Sequence, residues 1–442
     1  MRMYHYCVDR IIFLVDMNSY FATCEQMANP ALRGKPIGVG GSNLARTIVA
    51  ACSYEAKRYG VKNGMSVYEA KSLCPSLIMV EGNPERYVET TMRWLKILQD
   101  YSPELEVFSI DEAFLDLTGT HERFGGFLHV AQRIKERMKV EIGELFTCSI
   151  GISYNKTLAK LASSKMKPDG LVWIKRKVSA KDKAMFAQQL GATPGRLLST
   201  EEALLTSKLT DLCGIGPRLE KKLADMGIFS IAGLASFPKD RLQKKFGVYG
   251  AFLHEIANGE DHRPVASYWA EDPYRSMGHH YTLPEDVHGR EDLEPILFKL
   301  CEKIACRLRE HGYRGKTIHL LLRKSDFSSL SQQDTLPFYT CDGLQIFQTA
   351  CGILDRWIFP EAVRMVGIRV SQLVKNYHQL SLLEPDWKRA RLLEAMDKIN
   401  KKYGDFTVCQ ARILKTRLKI HVGGYVEDRG TAYKNLGAVV KK

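Results

Sequence analysis

Two hydrophobic rhythms alternate through the first 175 residues: unbroken apolar runs of strand length, and longer stretches whose apolar positions recur at helical spacing. Residues 11–15 form the first unbroken run and predict a buried strand. Residues 18–27 predict a helix, and Pro30 and Gly34 mark turns. Residues 35–85 predict a small unit of strands at 48–53 and 77–80 with helices at 54–59 and 67–73. Amphipathic periodicity returns over 86–101 and 126–143, on either side of an apolar run at 107–117 that predicts another strand; 146–152 predicts one more. This order implies a sheet backed by helices and interrupted by the 35–85 unit. After Trp173 the pattern shortens to small helices with charged faces, as far as residue 263, and 264–273 predicts a linker. A second α+β unit follows, with helices at 292–311 and 344–357 and strands at 317–323 and 364–370. Beyond Lys375 a polar connector precedes a last amphipathic helix at 387–402. At 442 residues the chain exceeds what one core usually fills, so the predicted class is an α+β multidomain protein.

Composition narrows the partner rather than the fold. Lys and Arg outnumber Asp and Glu by 64 to 50, and the net charge of +14 suits a polyanion, nucleic acid first. The eleven cysteines are scattered through apolar segments with no C-x-x-C pair, as expected of reduced packing residues in the cytoplasm. No apolar stretch reaches the roughly 18 residues of a membrane helix, and residues 1–10 lack a signal-peptide core. The expectation is a cytoplasmic protein with no membrane contact.

Chemistry enters with Asp111 and Glu112 inside the run 107–117, and with Asp16 at the end of the first run, which is predicted to face the second. An Asp-Glu pair at a strand end is most often a salt bridge. Here apolar residues flank the pair on both sides, and burying an ionised carboxylate costs several kcal/mol unless a cation compensates. Two Mg²⁺ ions, with Mn²⁺ able to substitute, are the simplest compensation; carboxylate oxygens are the ligands such hard cations take, and a two-metal site predicts phosphoryl transfer. The cations Lys156, Lys160, Lys165, Lys167, Lys175, Arg176 and Lys177 follow the strand at 146–152, with Asp169 as the one acid among them. Alone, such a run is a solvated helix face. Beside three acids it is predicted to line phosphates. Gly214 and Gly216, followed by Lys221 and Lys222, belong to a segment at 209–228 that resembles a helix-hairpin-helix, whose backbone amides bind phosphate without reading bases. His279 and His280 have no Cys or acid at metal spacing and read as surface histidines.

Four blocks make a resemblance specific: Val15-Asp16-Met17-Asn18-Ser19-Tyr20-Phe21-Ala22, Ser53-Tyr54-Glu55-Ala56-Lys57, Tyr101-Ser102-Pro103 with Ser109-Ile110-Asp111-Glu112-Ala113, and Gly151-Ile152-Ser153-Tyr154-Asn155-Lys156. In sequence, order and spacing they resemble the Y-family (translesion) DNA polymerases of bacteria, over residues 10–375. The resemblance implies a right-hand architecture. The palm would be 1–19 and 86–174, the fingers 20–85, the thumb 175–263, the linker 264–273, the little finger 274–375 and a tail 376–442. It implies a monomeric, template-directed, low-fidelity DNA polymerase without proofreading, transferring a nucleotide from dNTP to a primer 3′-hydroxyl.

Residue by residue, the resemblance makes Asp16, Asp111 and Glu112 the catalytic acids that hold two ions, with the backbone carbonyl of Met17 as a further ligand. Phe21, five positions after Asp16, becomes the steric gate against a ribonucleotide 2′-hydroxyl. Tyr54, Lys57 and Lys167 match the triphosphate contacts. The family often has Arg at the position of Lys57, a hydroxyl residue at that of Ala51 and Asp at that of Asn18. Gly214, Gly216 and Lys221 in the thumb, and Arg275, Arg323, Lys324 and Arg369 in the little finger, are the implied contacts to primer-template DNA. Gln379-Leu380-Ser381-Leu382-Leu383 resembles the peptide by which bacterial polymerases bind the sliding clamp. Two rival readings exist: a non-catalytic DNA- and clamp-binding scaffold, disfavoured because all three acids are present, and a nucleotidyl cyclase, which would lack the hairpin motif and the little finger.

Overall fold

The first apolar run forms β1 (Ile12–Met17), and all six of its residues are buried because both of its edges are paired and both of its faces are covered. A computed structural model describes residues 10–415, apart from 42, 44, 45, 192, 270–272, 360 and 376–383. It divides the chain into two units that meet near residue 270. In the first unit, β1 is followed by β2 (Ile37–Gly40), β3 (Ala51–Cys52) and β4 (Ile78–Glu81), a three-stranded sheet of order β3-β2-β4. Then come β5 (Leu105–Val107), β6 (Glu112–Asp116), β7 (Cys148–Ser153), β8 (Leu171–Lys175) and β9 (Gly195–Ser199). With β1 they build a six-stranded sheet of order β5-β6-β1-β7-β8-β9.

Alternation along β1 assigns its residues to two faces. Phe13 and Val15 join the core made by helices Pro84–Gln99 and Phe127–Arg137, where Trp94, Leu98, Leu128 and Ile134 are buried. Ile12 and Leu14 pack instead with Phe114 and with Ala159 of helix Lys156–Ser164. That last helix is the crossover that lets β8 lie parallel to β7, a connection no tight turn can make.

Three expectations change. The run 107–117 is not one strand: β5 and β6 pair antiparallel, with Val107 opposite Ala113, and the chain reverses at 108–111. Asp111 therefore sits in the bend and Glu112 opens the strand. Helix Tyr20–Ala28, assigned from the sequence to the fingers, buries Tyr20, Ala22 and Cys24 in the core of the large sheet; the separate small core begins with Val49, Cys52 and Ala56. Residues 175–199, expected to open the helical thumb, contribute β9, which runs parallel to β8. Short helices from Thr200–Leu205 to Val248–Ala257 then share a core of Leu209, Leu223, Leu242 and Leu253 with Leu158 and Leu161.

The second unit contains β10 (Ser276–Val287), β11 (Tyr313–Lys324), β12 (Ser329–Thr340), β13 (Val363–Ser371) and β14 (Val374–Lys375). All pairings are antiparallel, in the order β10-β13-β11-β12, with β14 on the start of β11. Helices Arg290–Glu310 and Gly343–Leu354 cover one face and bury Ile318, Leu320, Ile368 and Val370 beneath them. The connectivity is that of a split βαβ unit. Of the tail, whose role the sequence left open, the described residues 384–415 contribute to this unit. Helix Glu384–Tyr403 pairs Arg389 with Asp342 and Asp397 with Arg309, and Ile413 enters the core.

Candidate active site

Sheet register brings the acids together. Asp16 on β1 lies opposite Glu112 on β6, and the Met17 amide donates to the Asp111 carbonyl at 2.8 Å, so all three acids meet where β1 leaves the sheet. Asp16 is 4 % exposed. Burial pushes its carboxyl up to about 7, against the pull of the Lys167 ammonium, whose Nζ lies 2.6 Å from Oδ2. Burial also raises the carboxyl of Asp111, opposed by the Ser109 hydroxyl, which donates to Oδ1 at 2.5 Å. Glu112 receives a hydrogen bond from Lys160 at 2.6 Å, and that ammonium also stands 4.7 Å from the centre of the Phe108 ring.

Oxygen donors from three carboxylates are the set that Mg²⁺ takes, and the two ammonium groups are stand-in cations at the same acids. Among the described residues no three acids enclose one point, and two of these carboxylates are engaged with lysines. The site fits divalent ions provided that those pairs exchange.

Tyr54 and Lys57 reach the same end of the sheet through two residues with no role assigned from sequence, Asn18 and Ser19. Asn18, 4 % exposed, accepts from the Ser149 hydroxyl at 2.9 Å and from the Tyr54 hydroxyl at 3.3 Å. Burial pushes the Tyr54 phenol up to about 12, with the nearby Asp16 charge adding to the effect. Ser19 has a left-handed backbone, φ 46°, and accepts from Lys57 Nζ at 2.8 Å. Desolvation holds the Lys57 ammonium below its usual range, and it stands 4.3 Å from the Tyr54 ring centre. Ser53 caps helix Tyr54–Arg58 by accepting from the Ala56 amide, which is why the phenol and the ammonium leave one short helix together. Phe21, in the first turn of helix Tyr20–Ala28, stacks on Tyr87 with ring centres 4.5 Å apart and planes 23° apart.

The impB/mucB/samB family matches residues 15–164, its C-terminal domain 274–382, and the DNA polymerase-iota thumb domain 210–261. A DNA polymerase IV of Moorella thermoacetica is 39% identical over 407 residues, covering 91% of this chain and 96% of that protein. The chain belongs to the Y-family DNA polymerases. A second DNA polymerase IV, of Pelotomaculum thermopropionicum, is 37% identical over 427 residues, 96% of this chain and 99% of that protein. Among solved structures, the Y-family DNA polymerase chimera Dbh-Dpo4(243-245)-Dbh is 26% identical with a TM-score of 0.67, covering 83% of this chain and all of that one.

The other described residues predicted for this Y-family polymerase stand on other elements. Gly214, φ +103°, begins the turn into helix Pro217–Ala224, and its carbonyl accepts from the Tyr249 hydroxyl at 2.9 Å. Gly216 precedes that helix, and Lys221 lies in its last turn. The hairpin has only a single 3₁₀ turn, Leu209–Asp211, on its first side. In the second unit, Arg323 on β11 and Arg369 on β13 belong to the sheet face opposite the helices, and Arg275 precedes β10. His319 lies opposite Arg369 in register, at 3.1 Å, and His280 lies opposite Gly367, so two imidazoles share the face of the arginines. Burial and the arginines hold both imidazoles below the usual histidine range. Gln379, Leu380, Leu382 and Leu383 lie outside the described residues. No described helix is long and apolar enough to cross a membrane.

Proposed function

We propose that the protein is a translesion DNA polymerase that extends a primer 3′-hydroxyl from dNTP, with Asp16, Asp111, Glu112 and the Met17 carbonyl holding two Mg²⁺ ions, or Mn²⁺ in their place. The observation that carries this reading is the register of Asp16 against Glu112, locked by the hydrogen bond from the Met17 amide to the Asp111 carbonyl. When bound, the ions polarise the attacking hydroxyl and stabilise the leaving phosphate oxygen.

The chain's own residues supply the rest. Lys167 and Lys57 offer point charges to the triphosphate and Tyr54 a hydroxyl donor. Lys167 leaves Asp16 for the nucleotide when the acid gains another partner. Phe21, braced by Tyr87, presents a flat apolar wall that gives a 2′-hydroxyl neither room nor a hydrogen bond. The amides around Gly214 and Gly216, with Lys221, grip the duplex backbone, and Arg275, Arg323, Lys324 and Arg369 hold phosphates along the second unit's sheet. Residues 379–383 bind the sliding clamp. The protein acts as a monomer in the cytoplasm, in keeping with ten free cysteines among the described residues.

Primer extension tests this reading. Wild type is expected to extend with Mg²⁺, and Asp111→Ala and Glu112→Ala to bind primer-template without extending it. A wild type that binds DNA and never extends would leave only the scaffold. Phe21→Ala is expected to reduce the preference for dNTP over rNTP by about a hundredfold; an unchanged ratio removes Phe21 as the gate.

A further inference from the structure

One buried cation takes no part in the site described above. Lys135, on helix Phe127–Arg137, has a side chain only 7% exposed. Its ammonium donates to the Cys148 carbonyl at 2.7 Å and the Asp169 carbonyl at 2.7 Å, and pairs with Asp169 Oδ1 at 2.6 Å. A third, longer hydrogen bond of 3.5 Å goes to the Gly170 carbonyl, so the three protons go to backbone carbonyls and Oδ1 is held by charge. Lys139, one turn on, pairs with the other oxygen, Oδ2, at 2.9 Å.

What these cations hold is the segment that presents Lys167. Asp169 has φ 55°, in the left-handed region that a non-glycine residue enters at a cost. Gly170 follows because a Cβ there would lie 1.9 Å from the Met166 carbonyl oxygen, and its own carbonyl accepts from the Ile150 amide at 3.0 Å. Cys148, the other end of the tie, lies opposite Met17 in the β1–β7 register. A single ammonium behind the sheet therefore links the strand beside Asp16 to the bend from which Lys167 reaches Asp16.

We infer that Lys135, Asp169 and Lys139 are positioning residues that set the polymerase's affinity for dNTP by fixing the bend that carries Lys167. The inference rests on Lys167 being a triphosphate contact. Loosening the bend lets the Lys167 ammonium sample directions away from the nucleotide, and binding weakens while the acids, on other strands, stay in place.

Lys135→Met leaves buried carbonyls and a carboxylate without a cation and is liable to misfold, so the test uses Asp169→Asn and Lys139→Ala, which keep the buried ammonium. The dNTP KM, kcat, primer-template Kd and Tm are measured for each, with and without Lys167→Ala. Asp169→Asn is expected to raise the dNTP KM about tenfold. Lys139→Ala, whose pair is solvent-screened, raises it about twofold. Primer-template Kd stays within about twofold, and neither change raises KM further in the Lys167→Ala background. An unchanged KM for Asp169→Asn, or the same proportional rise with and without Lys167, overturns the inference. If Lys167→Ala alone leaves the dNTP KM unchanged, the assignment of Lys167 to the triphosphate fails first, which separates the two failures.

Discussion

Two acids of the first unit's candidate site, Asp16 and Glu112, pair with lysines, whereas the acids that hold the tail helix in the second unit, Asp342 and Asp397, pair with arginines. Asp16 and Glu112 each meet one ammonium through one oxygen at 2.6 Å. Asp397 meets both arms of the Arg309 guanidinium, at 2.6 and 2.8 Å, and the third nitrogen goes to the Cys341 carbonyl at 2.8 Å. Asp342 is gripped in the same two-armed way by Arg389. An ammonium is a point charge whose donors turn readily to a new acceptor, whereas a planar fork satisfies both carboxylate oxygens at once and holds one geometry. Under the proposed function, Asp16 and Glu112 are the acids that would exchange partners, and they stand with lysines. Acids that keep the tail helix docked stand with arginines.

The largest expected effect lies in the first unit. Asp16→Asn should reduce primer extension by about a thousandfold or more while primer-template binding survives; extension within tenfold of wild type would remove Asp16 from the metal set. In the second unit Arg309→Ala should lower stability by about 3 kcal/mol, because Asp397 and the Cys341 carbonyl both lose their donor. Arg309→Lys should lose about half of that, read as the denaturant midpoint of the second unit's transition. Equal losses for Ala and Lys would mean that the fork itself contributes nothing.

A swap in the first unit tests the comparison directly. Lys160→Arg should grip Glu112 more firmly and raise the Mg²⁺ concentration for half-maximal extension about tenfold; an unchanged Mg²⁺ requirement would end the idea that lysine is there to be exchanged. The smallest effect concerns Glu302, whose carboxyl burial pushes up to about 7 from an ordinary 4.5. The unfolded chain ionises this group near 4.5 and the folded one near 7, so folding loses stability as pH rises between those values and stays at the lower level above them. Glu302→Gln should therefore flatten that stretch of the stability profile and add about 1–2 kcal/mol at pH 8. A steeper profile in the variant would reverse the assignment.

Elements with a strong period were legible in the sequence. Helix Val67–Leu73 lies where the pattern predicts it, between Ser66, which caps it, and Pro75. Strands β11 and β13 were found from their buried alternate residues, Ile318, Leu320, Leu322, Val366, Ile368 and Val370. The full spans of β10 and β12 were not, because they are edge strands with few fully buried positions: Met277 and Leu283 on one, Thr340 on the other. The reversal at 108–111 was hidden because Phe108 and Ile110 keep the run apolar through the turn. Ser109 beside Asp111 is a local spacing that a reader could have used. Ser19, Asn18 and Tyr87 carried no such signal.

By itself the sequence determined which groups are available: three acids in apolar surroundings, an aromatic five places after the first, a cluster of lysines and two units of different pattern. Their neighbourhoods along the chain reveal these, because strand and helix periods are local. Only the tertiary structure decided which cation meets which acid. Asp16 and Lys167 are 151 residues apart, and the order β5-β6-β1-β7-β8-β9 joins them. Asp397 meets Arg309 because the tail helix folds back onto helix Arg290–Glu310. Charge pairing acts through space over a few ångströms, and sheet order and helix docking decide which parts of the chain come that close.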